Sequence, residues 1–534
     1  MLEGAKMSKK KKIPCTGIVF LVFLLSLSRP IGFSQEQKSA KPTRTMTLKE
    51  CLAAALANNL DLSIEALNPG ISEASISESR EKYIPEFSLS YSKQDLNQPG
   101  TWGVEGTSVA SKFDQYSFGL SQRIVTGAEV SLSFVNSQTN TSRAFTLINP
   151  SYYSNFRLNF TQPLLKGFGS KVNRIDTLKS VIQHDQSVSG LKASLIQTVY
   201  DVEEAYWNLY SAIENMKVQE NSLEQSRAIL RKNQEGVRIG TKSALEILSS
   251  EAEVAQYEDS LVSVRSAMEQ SETRLRKLLN LPSDSPAAVP PLALTDKPVI
   301  EKRTVSYEDA LAIALRERPE MAQTEKDVES SALDVSFSRN QLLPQLDLTF
   351  STWSPGQSGI KYIYDNNNPF TGSVIGKVEG SRADALKEAF KRTYKNWSLN
   401  LNLTVPFSTI FSRSNLAKAK MKEEQTRLRL ERQKQAIGYE VAEAIKELQN
   451  AERKIASSAA SRELQEKLVE AELQRYQLGL GTIEWLLSYQ RQLTNAKTTE
   501  IRALIDYKLA VAKLDMAIGT TLKSKGLKFG DYEF

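Results

Sequence analysis

The strongest constraint on this chain is that much of it is written twice. Sliding the sequence by 259 positions lays residues 46–92 on 305–351 without a gap, and Leu52, Ala55, Leu56, Arg80, Pro85, Leu89 and Ser92 each meet an identical residue. Two later pairs keep the same order: LNFTQPLL (Leu158–Leu165) against LNLTVPFS (Leu401–Ser408), and IGTKSALEIL (Ile239–Leu248) against LGLGTIEWLL (Leu478–Leu487). The unit of roughly 240–260 residues is far longer than a solenoid repeat. The chain therefore divides into two similar halves, 35–280 and 305–519, with a tail over 520–534. The join, 281–304, contains LPSDSPAAVPPLALTDKP, which cannot be regular helix.

The helical stretches carry heptads. Leu195, Val199, Val202, Tyr206, Leu209, Ile213 and Met216 alternate steps of four and three, as do Val254, Tyr257, Leu261, Val264, Met268, Ser271, Leu275 and Leu278. Ile437, Val441, Ala444, Leu448, Ala451 and Ile455 repeat the pattern in the second half. A 3.5-residue period marks helices packed on helices as coiled coils. It predicts two long helices over 172–238 and 413–478, each roughly 100 Å, and four shorter ones over 46–82, 241–280, 305–342 and 480–519, each roughly 55–60 Å. Two short helices end to end span one long one, with 241–280 continuing into 305–342 and the C-terminal helix matching the N-terminal one.

Between the helices, apolar residues alternate with Ser, Thr, Asn and Gln. Phe87, Leu89 and Tyr91 begin one run; Val130, Leu132 and Phe134, then Phe156, Leu158 and Phe160, continue the first half. Leu346, Leu348 and Phe350, then Trp397, Leu399, Leu401 and Leu403, make the second set. This fits either an antiparallel sheet on a soluble core or an outer-membrane barrel. The N-terminus favours the barrel. Lys9 to Lys12, an apolar run from Ile18 to Leu27 and GFS before Gln35 read as a secretory signal peptide over 1–34. No later run of roughly 20 apolar residues could form a membrane-spanning helix. Pro85 and Pro344 then mark where a helix in water becomes a strand entering a membrane. Four or so strands cannot close a barrel alone, and an open edge cannot face lipid, so the barrel must be shared in a cyclic oligomer. IVTGAEV (Ile124–Val130) reads as an extra hairpin turn, and Ser354–Ser373 as part of a long external loop.

Other classes fit poorly. Residues 1–34 hold six Lys or Arg and one Glu, so removing them takes the net charge from +6 to about +1, and nucleic acid is not an expected partner. His184 is the one histidine, and no paired carboxylates face each other, so neither an enzyme nor a metal or cofactor site is expected. KGFGSK (Lys166–Lys171) is too short and wrongly spaced for a phosphate-binding loop. Cys51 sits on the alanine-rich face of CLAAAL and reads as a packed small apolar residue.

Taken in order, LKECLAAALANN and YEDALAIALRERPE, YIPEFSLSYS and LLPQLDLTFS, FTQPLLKGFG and LTVPFSTIFSRS, RIGTKSALEIL and YQLGLGTIEWLLSYQ resemble the TolC-like outer-membrane efflux family over nearly the whole chain after residue 34. The resemblance implies a fold mainly α with β. Long antiparallel helical hairpins would form a periplasmic tunnel below an outer-membrane barrel shared by a homotrimer, with an equatorial region from the linker and terminal segments. It implies a channel embedded in outer-membrane lipid, fed through a periplasmic adaptor by an inner-membrane transporter of RND or ABC type. The expectation is four barrel strands per protomer, twelve in all, with the extra hairpin extending or lining the barrel. The adaptor-docking tips of the family fall here on Ile239, Gly240 and Thr241, and on Leu478, Gly479 and Leu480. The periplasmic aperture falls on Glu246 and, where members carry aspartates, on Trp485 and Ser488; the adjacent Glu484 faces about 100° away on a helix. A non-conducting coiled-coil scaffold is the alternative.

Overall fold

The computed structural model describes residues 44–101, 103–281, 291–370 and 373–527. The expected leader, Cys15 within it and residues 282–290 of the linker lie outside the described residues.

The repeat is kept to the residue. In the first half, helix α1 (Leu48–Asn58) and helix α2 (Leu60–Glu81) lead to strand β2 (Glu86–Pro99). In the second, α6 (Tyr307–Glu317), α7 (Pro319–Asn340) and β7 (Gln345–Tyr364) begin 259 positions later in each case. The single helices expected over 46–82 and 305–342 are thus each broken, at Asn59 and at Arg318, both in extended backbone with φ −68°, ψ 118° and φ −72°, ψ 126°. The causes differ. Asn59 turns its side-chain oxygen to the Leu62 amide at 3.1 Å, capping α2. Arg318 precedes Pro319, whose ring disfavours helical backbone in the residue before it. A capping box between Thr47 and Glu50 starts α1.

The long helices are α4 (Ile175–Arg238), after the short α3 (Ser170–Asn173), and α9 (Ile410–Gln477). Each turns into a shorter return helix, α5 (Ala244–Leu279) and α10 (Ile483–Ile518). A final turn, α11 (Thr521–Ser524), closes the described chain. The heptad seams of α4 and α9 are the core: Leu195, Val199, Val202, Tyr206 and Leu209, and Ile437, Val441, Ala444, Leu448 and Ala451, are all buried. The α5 seam is less covered, with only Tyr257 and Leu275 of its eight positions buried in the protomer. Stacking also differs from expectation. The Asn280 side chain capping α5 donates to the Asn58 carbonyl at 2.9 Å, and Gly519 after α10 abuts Arg318. Each return helix therefore meets the broken helix of its own half, α5 against α1–α2 and α10 against α6–α7. Those two junctions are where the buried clusters lie, one holding Cys51, Leu52, Leu275 and Leu279, the other Ala310, Ala314, Leu514 and Ile518.

Beside the first of these clusters β1 (Arg44–Met46) pairs in parallel with β6 (Leu292–Leu294), Met46 and Leu292 both belonging to it. The Asp296 carboxylate accepts from the Leu48 amide at 2.7 Å and the Tyr206 hydroxyl at 3.2 Å, which fastens the linker to the start of the first half.

The remaining strands form one antiparallel sheet: β2, β3 (Ser108–Arg123), β4 (Glu129–Thr141), β5 (Ile148–Pro163) and β7, with β9 (Asn396–Thr404) on the lower part of β7 and the short β8 (Val374–Val378) on its upper part. Two expectations change. The extra hairpin, β3–β4, is laid into the plane of the sheet between β2 and β5, so the protomer offers six laterally paired long strands where four were expected. The start of the expected loop at 354–373 is strand instead, because Ser354 to Gly359 continue the ladder of β7 with β5. Paired positions share a face. Phe87, Leu120, Leu132 and Leu158 fall on one rung, and Leu89, Phe118, Phe134 and Phe156 on the next, whereas Ser90 lies opposite Ser117 on the other face. The sheet is apolar on one side and rich in serine and asparagine on the other.

Candidate functional site at the hairpin tips

The far ends of the two long hairpins hold the predicted tip residues. Both turns use the same backbone device. Gly240 has φ +75° and Gly479 φ +74°. In the first tip the Gly240 amide donates to the Val237 carbonyl at 3.0 Å and the Thr241 amide to Gly236 at 2.8 Å. In the second, Gly479 donates to Tyr476 at 3.2 Å and Leu480 to Arg475 at 2.9 Å. These are Schellman closures, which need a left-handed residue after the helix. No neighbour lies within 4 Å of a Cβ added at either glycine, so backbone geometry alone requires glycine there.

The turns present apolar side chains to water. Ile239 is 63% exposed, Leu478 74% and Leu480 70%. Trp485, in the first turn of α10, is 58% exposed and stacks on Tyr489 at 5.9 Å, so it is not packed between this protomer's helices. Glu484 beside it is exposed and Ser488 is half-buried. An apolar rim on a turn that leaves its backbone bonds satisfied is suited to docking against another apolar surface.

Glu246 stands apart from that rim. It sits in the first turn of α5 and accepts from Lys242 at 3.2 Å and from the Tyr476 hydroxyl. Tyr476 belongs to the other hairpin, so this contact ties the two tips together. Around it lies a buried polar knot. Asn233, with no solvent exposure, donates to Ser250 at 2.8 Å, and its side-chain oxygen lies 2.8 Å from the Tyr476 hydroxyl and 2.9 Å from the Lys242 ammonium. That ammonium also stands 3.6 Å from the centre of the Tyr476 ring. Burial pushes the Glu246 carboxyl up, but the hydrogen bonds from Tyr476 and Lys242 and the Lys242 charge outweigh it, and the group sits below the usual carboxylate range. Burial, reinforced by Glu246, raises the Tyr476 hydroxyl. Two turns farther along α5 the balance reverses: burial holds Glu253 above its ordinary value although Arg491 of α10 pairs with it.

The sequence singled out Glu246 but missed Asn233, Lys242 and Tyr476. Tyr476 and Asn233 lie 243 positions apart, and nothing in either stretch marks them as partners. Among the described residues there is no group of three or more His, Cys, Asp or Glu that could hold a metal ion, and no helix is long and apolar enough to cross a membrane.

One long hairpin from each half of the repeat and a single amphipathic sheet make up the described chain. The sequence matches the family described as outer membrane efflux protein over residues 51–281 and again over 310–520. The chain belongs to that family. Its two matched stretches coincide with the two halves of the repeat, and membership places the protein in the outer membrane. No curated protein matches the chain. Among solved structures, the Campylobacter jejuni CmeC outer membrane channel superposes with a TM-score of 0.64 at 16% identity, over 91% of this chain and 90% of that one. A membrane protein from Pseudomonas aeruginosa gives 0.64 at 17% identity, over 88% and 93%. The open-state MtrE outer membrane channel of Neisseria gonorrhoeae gives 0.59 at 19%, over 89% of each chain. At these identities the likeness is one of fold.

Proposed function

We propose that three copies of this chain close a common barrel and tunnel, forming the outer-membrane conduit of a tripartite export system. The observation that carries this reading is the open sheet. Strand β2 runs away from the helices and β9 runs back toward them. These are the two lateral edges, so β9 of one copy can pair with β2 of the next in the same antiparallel sense. An unpaired edge cannot face lipid, and this pairing removes both edges at once. With six strands from each protomer the closed barrel would have eighteen, about 1.5 times the diameter of a twelve-stranded one.

A second feature supports the same assembly. Leu60, Ile64, Leu67 and Ile71 on α2 step by four, three and four and are 62–65% exposed. That is a coiled-coil seam with no partner among the described residues of its own protomer. The serine- and asparagine-rich face would line a water-filled barrel, and the apolar tips would dock a periplasmic adaptor that delivers cargo from an inner-membrane transporter of RND or ABC type.

Cysteine pairs placed across the inferred joint test the closure: Ser88→Cys, Ser90→Cys or Ser92→Cys combined with Asn400→Cys or Asn402→Cys. Covalent trimers after oxidation of membranes support it; only monomers across the whole set reject it. Photo-crosslinking from Thr241 and Leu480 in cells tests docking, and capture of a periplasmic adaptor is the expected result. A conducting trimer in a planar bilayer separates the channel from a non-conducting scaffold.

A further inference from the structure

The apolar face of the sheet is a band, and its height shifts from strand to strand. On β3 it covers Tyr116, Phe118 and Leu120; on β5, Phe156, Leu158 and Phe160; on β7, Leu346, Leu348 and Phe350. Along the ladders Phe156 pairs with Ser354 and Phe160 with Phe350, so the band descends relative to the rungs toward β9. A horizontal membrane crossing tilted strands produces this displacement. Tyr91, Tyr116 and Trp397 stand at its upper limit, where aromatic side chains with a polar edge collect at a lipid interface.

Helix α8 (Arg382–Lys391) lies on this face at the upper limit of the band. It is docked firmly. Ala385 and Ala389 are fully buried, and Gly356 lies so close beneath that a Cβ there would stand 2.1 Å from the Ala385 carbonyl. Phe390 stacks over Phe134 at 5.7 Å and Phe156 at 5.9 Å, carrying the apolar band upward. At the other end Arg382 pairs with Asp114 and Gln138, each at 3.1 Å. The helix acids are occupied locally: Asp384 in the capping box with Ser381, Glu388 by the Gln357 amide at 2.8 Å. What remains outward is cationic and aromatic. Lys387, Lys391 and Lys395 are exposed and in no salt bridge among the described residues, beside Phe390, Tyr394 and Trp397, each more than half exposed.

We infer that α8 is an interfacial anchor whose lysines take the phosphate groups of outer-leaflet membrane lipid. Position selects the occupant. The apolar body of the patch is at acyl-chain level and its ammonium groups are at headgroup level, where long side chains extend toward the polar layer. A soluble acidic partner would leave Phe390, Trp397 and the band beneath them uncovered. The inference rests on the reading of the apolar face as lipid-facing.

The test uses the full chain in phosphatidylcholine vesicles, alone or with a bisphosphorylated glucosamine lipid or its dephosphorylated form. The variant carries Lys387→Gln, Lys391→Gln and Lys395→Gln together. Wild type is expected to bind the bisphosphorylated lipid on the order of 100-fold more tightly than the variant does, with the dephosphorylated lipid bound equally by both. Equal binding of the phosphorylated lipid by the two proteins, while both float with plain vesicles, overturns the anchor and leaves the barrel standing. Failure of both to float overturns the barrel reading and the anchor with it. Displacement of the lipid's headgroup by millimolar inorganic phosphate would assign the lysines to a free anion and refute the lipid.

Discussion

Replacing Tyr476 by Phe removes one oxygen from the joint between the two hairpin tips and almost nothing else. The ring keeps its place over Lys242 and against Ile483, Leu486 and Leu487. What goes is the hydroxyl between Glu246 and Asn233. A hydrogen bond to an ionised acceptor is worth about 1.5–3 kcal/mol. Glu246 retains Lys242 at 3.2 Å, so the loss belongs near the lower end of that range, about 1.5–2 kcal/mol. If the tips separate as units, their opening equilibrium rises roughly 10–30-fold, and amide hydrogen exchange in the segments around 229–250 and 470–490 should accelerate by the same factor. Amides in the middle of α4 and α9 serve as the internal control, because nothing around Val199 or Val441 is altered. Exchange at the tips indistinguishable from wild type would show that the Tyr476 contact does not hold the hairpins together, and the account of the knot would be wrong.

Four further outcomes follow from the same geometry. Gly479→Ala forces a Cβ into left-handed backbone at a cost of about 1 kcal/mol or somewhat more, visible as faster exchange in the second tip alone; Gly240→Ala should do the same in the first. Leu67→Ala with Ile64→Ala should weaken trimers by about 1–2 kcal/mol per side chain, repeated three times by symmetry, and light scattering on dilution in detergent would reveal monomers; trimers as persistent as wild type would remove α2 from the interface. The lowered Glu246 carboxyl contributes stability that is present at neutral pH and lost as pH falls through its folded value, below the ordinary carboxylate range of about 4, so in a Glu253→Gln background, which removes the raised carboxyl two turns away, tip exchange corrected for intrinsic rate should stay flat from pH 7 to about 5. Trp485→Ala should make cells leakier to large antibiotics, and unchanged permeability would take Trp485 out of the aperture.

How far the sequence could be read depends on the distance over which each feature is determined. The duplication was legible because it needs only comparison of the chain with itself, and the heptads because α4 and α9 bury the residues their period selects. The breaks at Asn59 and Arg318 were not foreseen, although Pro319 carried a local signal. Asn59 carried a weaker one, since an asparagine in LANNLDL can cap a helix or lie within it. The pairing of α5 with α1–α2 could not be read at all. It depends on which of two linked helices the chain returns to, and loop residues do not encode that choice.

The barrel and the knot fail to show in sequence for one shared reason. Alternation says that Phe118, Leu120 and Val130 belong to strands with one greasy face; it does not say which strand lies beside which. The hairpin β3–β4 could have folded over the sheet or into it with the same pattern. The structure puts it in the plane, where its apolar residues fall on rungs with Phe87, Leu89, Phe156 and Leu158 and its serines with Ser88 and Ser90. In plane, Tyr116, Phe118, Leu120, Leu132 and Phe134 join the band and Ser117, Ser121, Ser131 and Ser133 fall on the opposite face, whereas a hairpin laid over either face would bury one set against the wrong partner. The same logic operates at the other end of the molecule. Asn233 has no exposure and could not be buried without the lysine, tyrosine and serine that satisfy it, and only one of those, Lys242, is near it in sequence. The polar knot therefore requires the two halves to be docked in a single register, which packing of leucine seams alone would leave free to slide by a heptad.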